Sequence, residues 1–424
     1  MSPTPAFDTR TLDQLLAALA RFSAGGPGVT RFTYDPTWCD ANRWLRVQAT
    51  SLGLDSTMDA AGNLLFHDAA VKPGDLQRPV LMVGSHLDSV KHGGRFDGAY
   101  GTIAGLLLAA RHRGRPGLPV VGFVTCEEEQ SRFNSHMMGA RSLLGLVEAG
   151  ELESVHDGDG VTWREALSTV REAGCAAEVA AGTKPFPPVF RAALQLELHI
   201  EPGPRLEAEG IPLGIVAHIA GYRRLRATVR GEARHSGTTP MGLRHDAFAA
   251  AAAMVLAVEA LAREVGDPAV ATAGNARVSP GLYNVVAGEC ELWLEVRHVT
   301  AAALASMASD LVERCQSIAQ ARGVVLTIDE VSRQDPTPLS TRLATEAEAL
   351  AGARGIRHLR MASGAAHDSM EFARAGVVSL MLFVPSQRGI SHSPDEFTRS
   401  EALWAGVEFA SALIDQLAAE AGAR

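Results

Sequence analysis

With 424 residues, 46% of them hydrophobic and 21% charged, the chain can bury a large core, and its length is a prior for two domains. The net charge of -9, from 39 Lys plus Arg against 48 Asp plus Glu, contains no long basic run, which argues against a nucleic-acid partner and for a small molecule. No segment approaches about 18 uncharged apolar residues, so no membrane span is expected.

The start, MSPTPAFDTRTLDQLLAALARF, is amphipathic and partly acidic rather than a basic stretch leading into an apolar core, so it does not read as a signal peptide. Five cysteines (Cys39, Cys126, Cys175, Cys290 and Cys315), odd in number and without close pairs, fit a reducing compartment and make the cytoplasm the expected location. Residues 10 to 56 carry two helical patterns, and from Pro79 buried strands alternate with helices as in an α/β domain. TIAGLLLAARHR, from Thr102, reads as a buried helix. The stretch 146 to 188 is polar and rich in Gly, Glu and Ala; it predicts surface structure with one helix, EALSTVREAG, and no chemistry.

After Gly214 the composition changes. YRRLRATVRG alternates as a half-buried strand, His245 to Arg263 is a long alanine-rich helix, CELWLEVRHV is a strand, Ala301 to Arg322 a helix and VVLTIDEV a strand. These three strands and two helices, read as part of a β-α-β-β-α-β order, resemble a ferredoxin-like insert. Past the breaker at Asp335 to Pro338 the main sheet resumes, with LSTRLATEAEALAGA helical and VVSLMLFV a buried strand. The expected architecture is α/β, with a discontinuous metal-binding catalytic domain over 1-213 and 332-424 and an α+β domain inserted over 214-331.

Side chains suited to metal binding follow the buried runs. His86 and Asp88 follow PVLMVGS, Asp97 sits in GGRFDG, Glu127, Glu128 and Glu129 follow PVVGFVTC, His199 follows RAALQLEL, and His392 follows VVSLMLFVPSQRGIS. The ends of strands in an open α/β sheet are where active sites lie. Imidazoles and carboxylates converging there provide nitrogen and oxygen ligation suited to zinc or manganese, and point to a metal-dependent hydrolase. In an extended GSHLDS, Asp88 lies on the same side as His86 and is expected to orient that imidazole; a His-Asp hydrogen bond without metal is the alternative. Asp97 either bridges two metals or caps the following helix. Among the three adjacent glutamates, mutual repulsion favours one as ligand and one as general base; a solvated acidic turn is the bland alternative.

The motifs GSHLDSV, GGRFDGAYG, EEEQSRF, ELHIEPGP, HSGTTPMGLRHDA, PGLYNVVAG, SGAAHDS and GISHSPDE, from about residue 80 to residue 396, resemble the hydantoinase/carbamoylase family of dinuclear metal amidohydrolases. The resemblance implies an aminopeptidase-like catalytic domain, an inserted ferredoxin-like lid and dimerisation domain, a homodimer, and two divalent metal ions per subunit, zinc or manganese with cobalt or nickel also accepted. It implies His86, Asp97 and His199 as ligands, Asp97 bridging, with Glu129 and His392 on the second metal. Glu128 is implied as general base, a shift to Glu127 staying open because Gln130 replaces the family's glycine. His235, from the partner subunit, and Asn284 and Arg297 are implied substrate ligands. The implied reaction is hydrolysis of N-carbamoyl-L-amino acids, small carboxylates; allantoate or another N-acyl or amide-linked carboxylate is the alternative, and a non-catalytic ligand-binding protein on the same scaffold a remote one. Three departures stand out. Pro202 replaces the family's glutamine in HIEPGP and brings no side-chain donor or acceptor. Ala366 replaces a glycine, a change expected to be structural, and VVAG near Asn284 replaces the family's Ile-Pro-Gly and is expected to reshape the lid side of the pocket.

Overall fold

The computed structural model describes residues 7–133 and 135–422. They form two compact units: one runs to Ala217 and resumes over Leu339–Met361 and from Ala366 onward, and the other is His218–Pro338 with Ala362–Ala365.

The main sheet of the first unit is built on four adjacent parallel strands, in the order Val120–Thr125, Pro79–His86, Arg191–Ile200 and Val378–Val384. Both faces of these strands are buried, as parallel strands require, and in Arg191–Ile200 the buried face includes the polar Gln195 and Glu197. Because the four are parallel, their C-terminal ends share one edge of the sheet. That edge receives His86, the Glu127 to Glu129 turn, His199 and the loop bearing His392.

The helix Ala99–Arg111 is buried from Ala99 to Ala110 and lies directly on these strands. At Gly101 a Cβ would stand 2.4 Å from the Leu198 carbonyl oxygen and 2.5 Å from the Ser85 Cβ, so only glycine permits this approach. The N-terminal helices are Thr9–Leu19 and Pro36–Ser51. Arg31 ties this region to the site edge: it is 2% exposed and donates to the carbonyl oxygens of Leu87 (2.8 Å), Leu19 (3.1 Å) and Phe22 (3.0 Å).

The polar stretch after residue 146 is not only surface. Its helix, Trp163–Glu172, starts at a capping box formed by Thr162 and Glu165 and turns Trp163, Leu167 and Val170 into the main core. The Trp163 indole donates to the Tyr34 hydroxyl at 2.9 Å. Widely spaced apolar positions among polar residues hid this face, since one helical stripe suffices to anchor a segment.

In the second unit four antiparallel strands stand in the order Val325–Gln334, Gly221–Arg230, Glu289–His298, Val270–Ser279. The helices Ala247–Val265 and Ala301–Arg322 share a core with Leu225, Val229, Leu292 and Leu294, which alternate with less buried neighbours along their strands. The first of these helices starts at Ala247, after His245, because the Asp246 carboxylate caps it by accepting from the Phe248 and Ala249 N–H groups.

Candidate metal centre

Six side chains of the first unit meet at the sheet edge. His86 closes its strand, and its Nδ1 lies 3.0 Å from the Asp88 carbonyl oxygen; His199 Nδ1 lies 2.8 Å from the Ile200 carbonyl oxygen. A proton on each Nδ1 satisfies those carbonyls and turns both Nε2 atoms toward Asp97, His199 Nε2 also accepting from the Gly98 N–H at 3.3 Å. The two rings are 1% and 2% exposed, which fixes their orientation.

Asp97 stands between two groups of donors. Its Oδ1 is 3.4 Å from His86 Nε2 and 3.1 Å from His199 Nε2, while its Oδ2 is 3.5 Å from His392 Nε2. His392 Nε2 is in turn 3.2 Å from Glu129 Oε2, and Glu128 Oε2 is 3.9 Å from His86 Nε2. Three sets therefore draw their ligand atoms within 4.8 Å of one another: His86 with Asp97 and His199, His86 with Glu128 and Glu129, and Asp97 with Glu129 and His392. The helix after Asp97 begins at Gly98 without a side-chain cap, so the capping alternative for Asp97 is not what its carboxylate does.

The electrostatics suit cations. Burial, opposed by His86 and reinforced by the Glu129 charge, pushes the Glu128 carboxyl well above its usual range. Burial also raises Glu129, with Asp97 adding to it. Asp97 would be raised by burial too, but the His199 and His86 imidazoles outweigh that and hold it well below the ordinary value. Carboxylates kept this close in a buried site need positive charge, and two divalent cations sharing Asp97 would provide it. The donor set fits such a pair: imidazole nitrogen and carboxylate oxygen, with Asp97 offering one oxygen to each group.

Glu127 does something else. Its backbone is left-handed, at φ 55°, and its Oε1 accepts from the N–H groups of Arg132 (2.8 Å) and Phe133 (2.7 Å). That oxygen holds its own turn while the buried Oε2 has no hydrogen-bond partner, and it is Glu128, not Glu127, that joins the ligand sets. Asp88 also acts differently from the expectation. Its carboxylate is 3.9 Å from His86 Nδ1 and instead accepts from the N–H groups of Glu128 (3.2 Å) and Glu129 (3.1 Å). The imidazole is oriented by the Asp88 carbonyl, because the chain turns out of the strand at Leu87 and carries the side chain toward the glutamate turn.

Sequence reasoning passed over the layer beneath. Glu197 accepts from the Ser85 hydroxyl (2.9 Å) and from the Ser369 N–H (2.9 Å), and the His367 ring packs edge-on to His199 at 4.7 Å between centroids. Glu396 accepts from the Phe96 and Asp97 N–H groups. The polar letters of AHDS and HSPDE were the only signal, and partners some hundreds of residues away are invisible to local pattern.

The substrate residues named from the sequence lie in the second unit. His235 is exposed and pairs in register with Val285, and Asn284 accepts from the Ser236 N–H through its carbonyl at 2.9 Å. Arg297 forks onto Glu295, with Nε–Oε1 2.6 Å and Nη2–Oε2 3.1 Å, and donates to the Gly364 carbonyl at 2.6 Å.

A family model described as "Peptidase family M20/M25/M40" matches residues 82–416. The chain is 37% identical over 406 residues to an N-carbamoyl-L-amino-acid amidohydrolase of Paenarthrobacter aurescens, covering 94% of this chain and 95% of that one. It is 33% identical over 406 residues to an allantoate amidohydrolase of Bacillus subtilis, with the same coverage of 94% and 95%. A solved amidase of the hydantoinase/carbamoylase family from Burkholderia multivorans superposes with a TM-score of 0.88 at 29% identity, covering 98% of this chain and 99% of that one.

Proposed function

Since the chain belongs to the M20/M25/M40 peptidase family, and within it to the hydantoinase/carbamoylase group of amidohydrolases, we propose that it is a two-metal amidohydrolase releasing L-amino acids from their N-carbamoyl derivatives. The observation that carries this reading is Asp97 shared between two donor groups with Glu128 beside them.

His86, Asp97 and His199 would hold one divalent cation, and Glu129, His392 and Asp97 the other, zinc or manganese best matching the donors. Bound there, the cations supply Lewis acidity toward water and the ureido carbonyl. Glu128, with Oε2 3.9 Å from His86 Nε2 at the edge of the donor cluster, removes a proton from the attacking water and returns it to the leaving nitrogen. Asp88 holds the Glu128 and Glu129 backbone for this task. The second unit is assigned the lid and dimerisation role, with His235 donating to the oxyanion in the partner subunit, and with Asn284 and Arg297 binding the substrate carboxylate. A carboxylate taking the Arg297 fork would exchange for Glu295. The expected setting is a cytoplasmic homodimer.

Pro202 favours a second reading, hydrolysis of allantoate or of another amide-linked carboxylate. Neither Pro202 nor its neighbour offers a free polar group, because the Glu201 carboxylate is buried and accepts from the N–H groups of Arg205 (3.1 Å) and Leu206 (2.8 Å). The non-catalytic alternative is disfavoured by the complete set of base and ligands.

The test is turnover by manganese- or zinc-loaded protein of N-carbamoyl-L-amino acids, allantoate, 3-ureidopropionate and N-formyl and N-acyl amino acids, with Glu128→Gln as control. Metal-dependent release of amino acid from the carbamoyl compounds, lost in the control, is expected. Turnover confined to the others would replace the substrate and keep the chemistry. No turnover with two metals bound would favour the binding-protein reading.

A further inference from the structure

His86 and His199 stand at the ends of core strands, but His392 stands on a loop. Its side chain is 55% exposed and its backbone is left-handed at φ 56°, so no strand dictates where its Nε2 points. The loop is tied down by its own residues. Glu396 is 5% exposed, and its Oε1 accepts from the N–H groups of Phe96 at 2.7 Å and Asp97 at 3.2 Å. The Ser391 hydroxyl donates to Asp97 Oδ2, and the Phe397 ring meets Phe96 edge-on at 6.4 Å between centroids. The Asp97 turn is shaped to receive the carboxylate, since a Cβ at Gly94 would stand 2.0 Å from Glu396 Cδ. A buried carboxylate is costly to place unless it is hydrogen-bonded, so this position holds only while both loops are in register.

We propose that Glu396 is a positioning residue that latches the His392 loop onto the Asp97 turn, and thereby sets the affinity of the cation held by Glu129, His392 and Asp97. It acts through backbone N–H groups and lies outside the three ligand sets. The inference rests on reading the cluster as a two-cation centre. Its consequence is asymmetric. His86 and His199 keep their positions without the latch, whereas His392 loses its register with Asp97.

Metal-free protein titrated with manganese(II) by calorimetry tests this directly. The wild type should bind two ions per chain. Glu396→Ala should keep one near its original affinity and weaken the other at least tenfold, with an isotherm like that of His392→Ala and unlike that of His199→Ala. Glu396→Gln, which retains an acceptor oxygen, should restore both. Two ions bound by Glu396→Ala as in the wild type, or both weakened alike, would overturn the latch alone; fewer than two in the wild type would overturn the two-cation reading and the latch with it. Should Glu396→Ala not fold, Ser391→Ala, which deletes one hydroxyl of the same loop, carries the test. It should show the same selective loss to a smaller degree, and no change would count against the latch.

Discussion

Replacing Gly98 by alanine should disable the metal centre by displacing His86. Gly98 lies at φ 63°, and a Cβ there would stand 2.4 Å from Cε1 and Nδ1 of His86 and 2.6 Å from its Nε2. Non-bonded carbon atoms keep about 3.5 Å, so the ring or the helix must yield by about 1 Å. There is no room to yield, since His86 is 1% exposed and the helix Ala99–Arg111 is buried on the strands behind it. Ligand distances tolerate only about 0.2 Å, and a displacement of about 1 Å at a reacting centre costs on the order of 100-fold in rate. The fold itself should lose about 1 to 3 kcal/mol from overpacking and about 1 to 2 kcal/mol from the left-handed backbone. Gly74→Ala separates the two effects, because Gly74 has φ 85° with nothing within 4 Å of its Cβ. Urea unfolding of the metal-free proteins and manganese titration of both variants are the assays. The control should lose stability and keep its metals, whereas Gly98→Ala should lose both. Wild-type metal affinity in Gly98→Ala would refute the reasoning.

Glu128→Gln should lower kcat by about 100- to 10,000-fold with both metals retained, while Glu127→Gln, which keeps an oxygen for the Arg132 and Phe133 N–H groups, should stay within a few-fold of wild type; equal losses in steady-state assays would place the base wrongly. His112 gives a pH dependence remote from the metals: it is buried, with Nδ1 2.9 Å from the Leu108 carbonyl, and burial lowers its pKa despite that carbonyl and Asp415. Because the unfolded chain then takes up the proton first, the stability attached to His112 is complete above about pH 6.5 and declines as pH falls toward the lower folded value. Urea midpoints of metal-free wild type and His112→Gln at pH 7.5 and 5.5 should therefore differ in slope, the variant being flatter, and identical slopes would remove His112 as the cause. Chelation should lower Tm reversibly, since an ion present at about 100 times its Kd adds about 2.7 kcal/mol; a Tm indifferent to chelator and to added manganese would argue against a resident metal.

Much of the fold could be read locally because its determinants are local. Largely apolar runs marked the parallel strands, and alternating burial marked those of the second unit. The helix Ala301–Arg322 has the limits its sequence suggests, closed by Gly323 in the left-handed conformation. Where the local signal was weaker, the reading drifted: the Trp163 helix hides its buried face among charges, and the alanine-rich helix starts where Asp246 caps it rather than where its periodicity begins.

The site divides along the same line. Histidines and carboxylates falling at strand ends are visible in one dimension, and parallel strands oblige those ends to meet on one edge. Which atom each residue offers is not visible there. That Glu127 gives one carboxylate oxygen to Arg132 and Phe133, that Asp88 serves the glutamate turn through its side chain and His86 through its carbonyl, and that Glu396 reaches back to Asp97 depend on backbone direction at turns and on contacts between distant segments. Residue type and spacing determine what chemistry is available. Only the packing of the chain on itself decides which lone pair or N–H is left for it, because one left-handed residue at a turn redirects every side chain that follows.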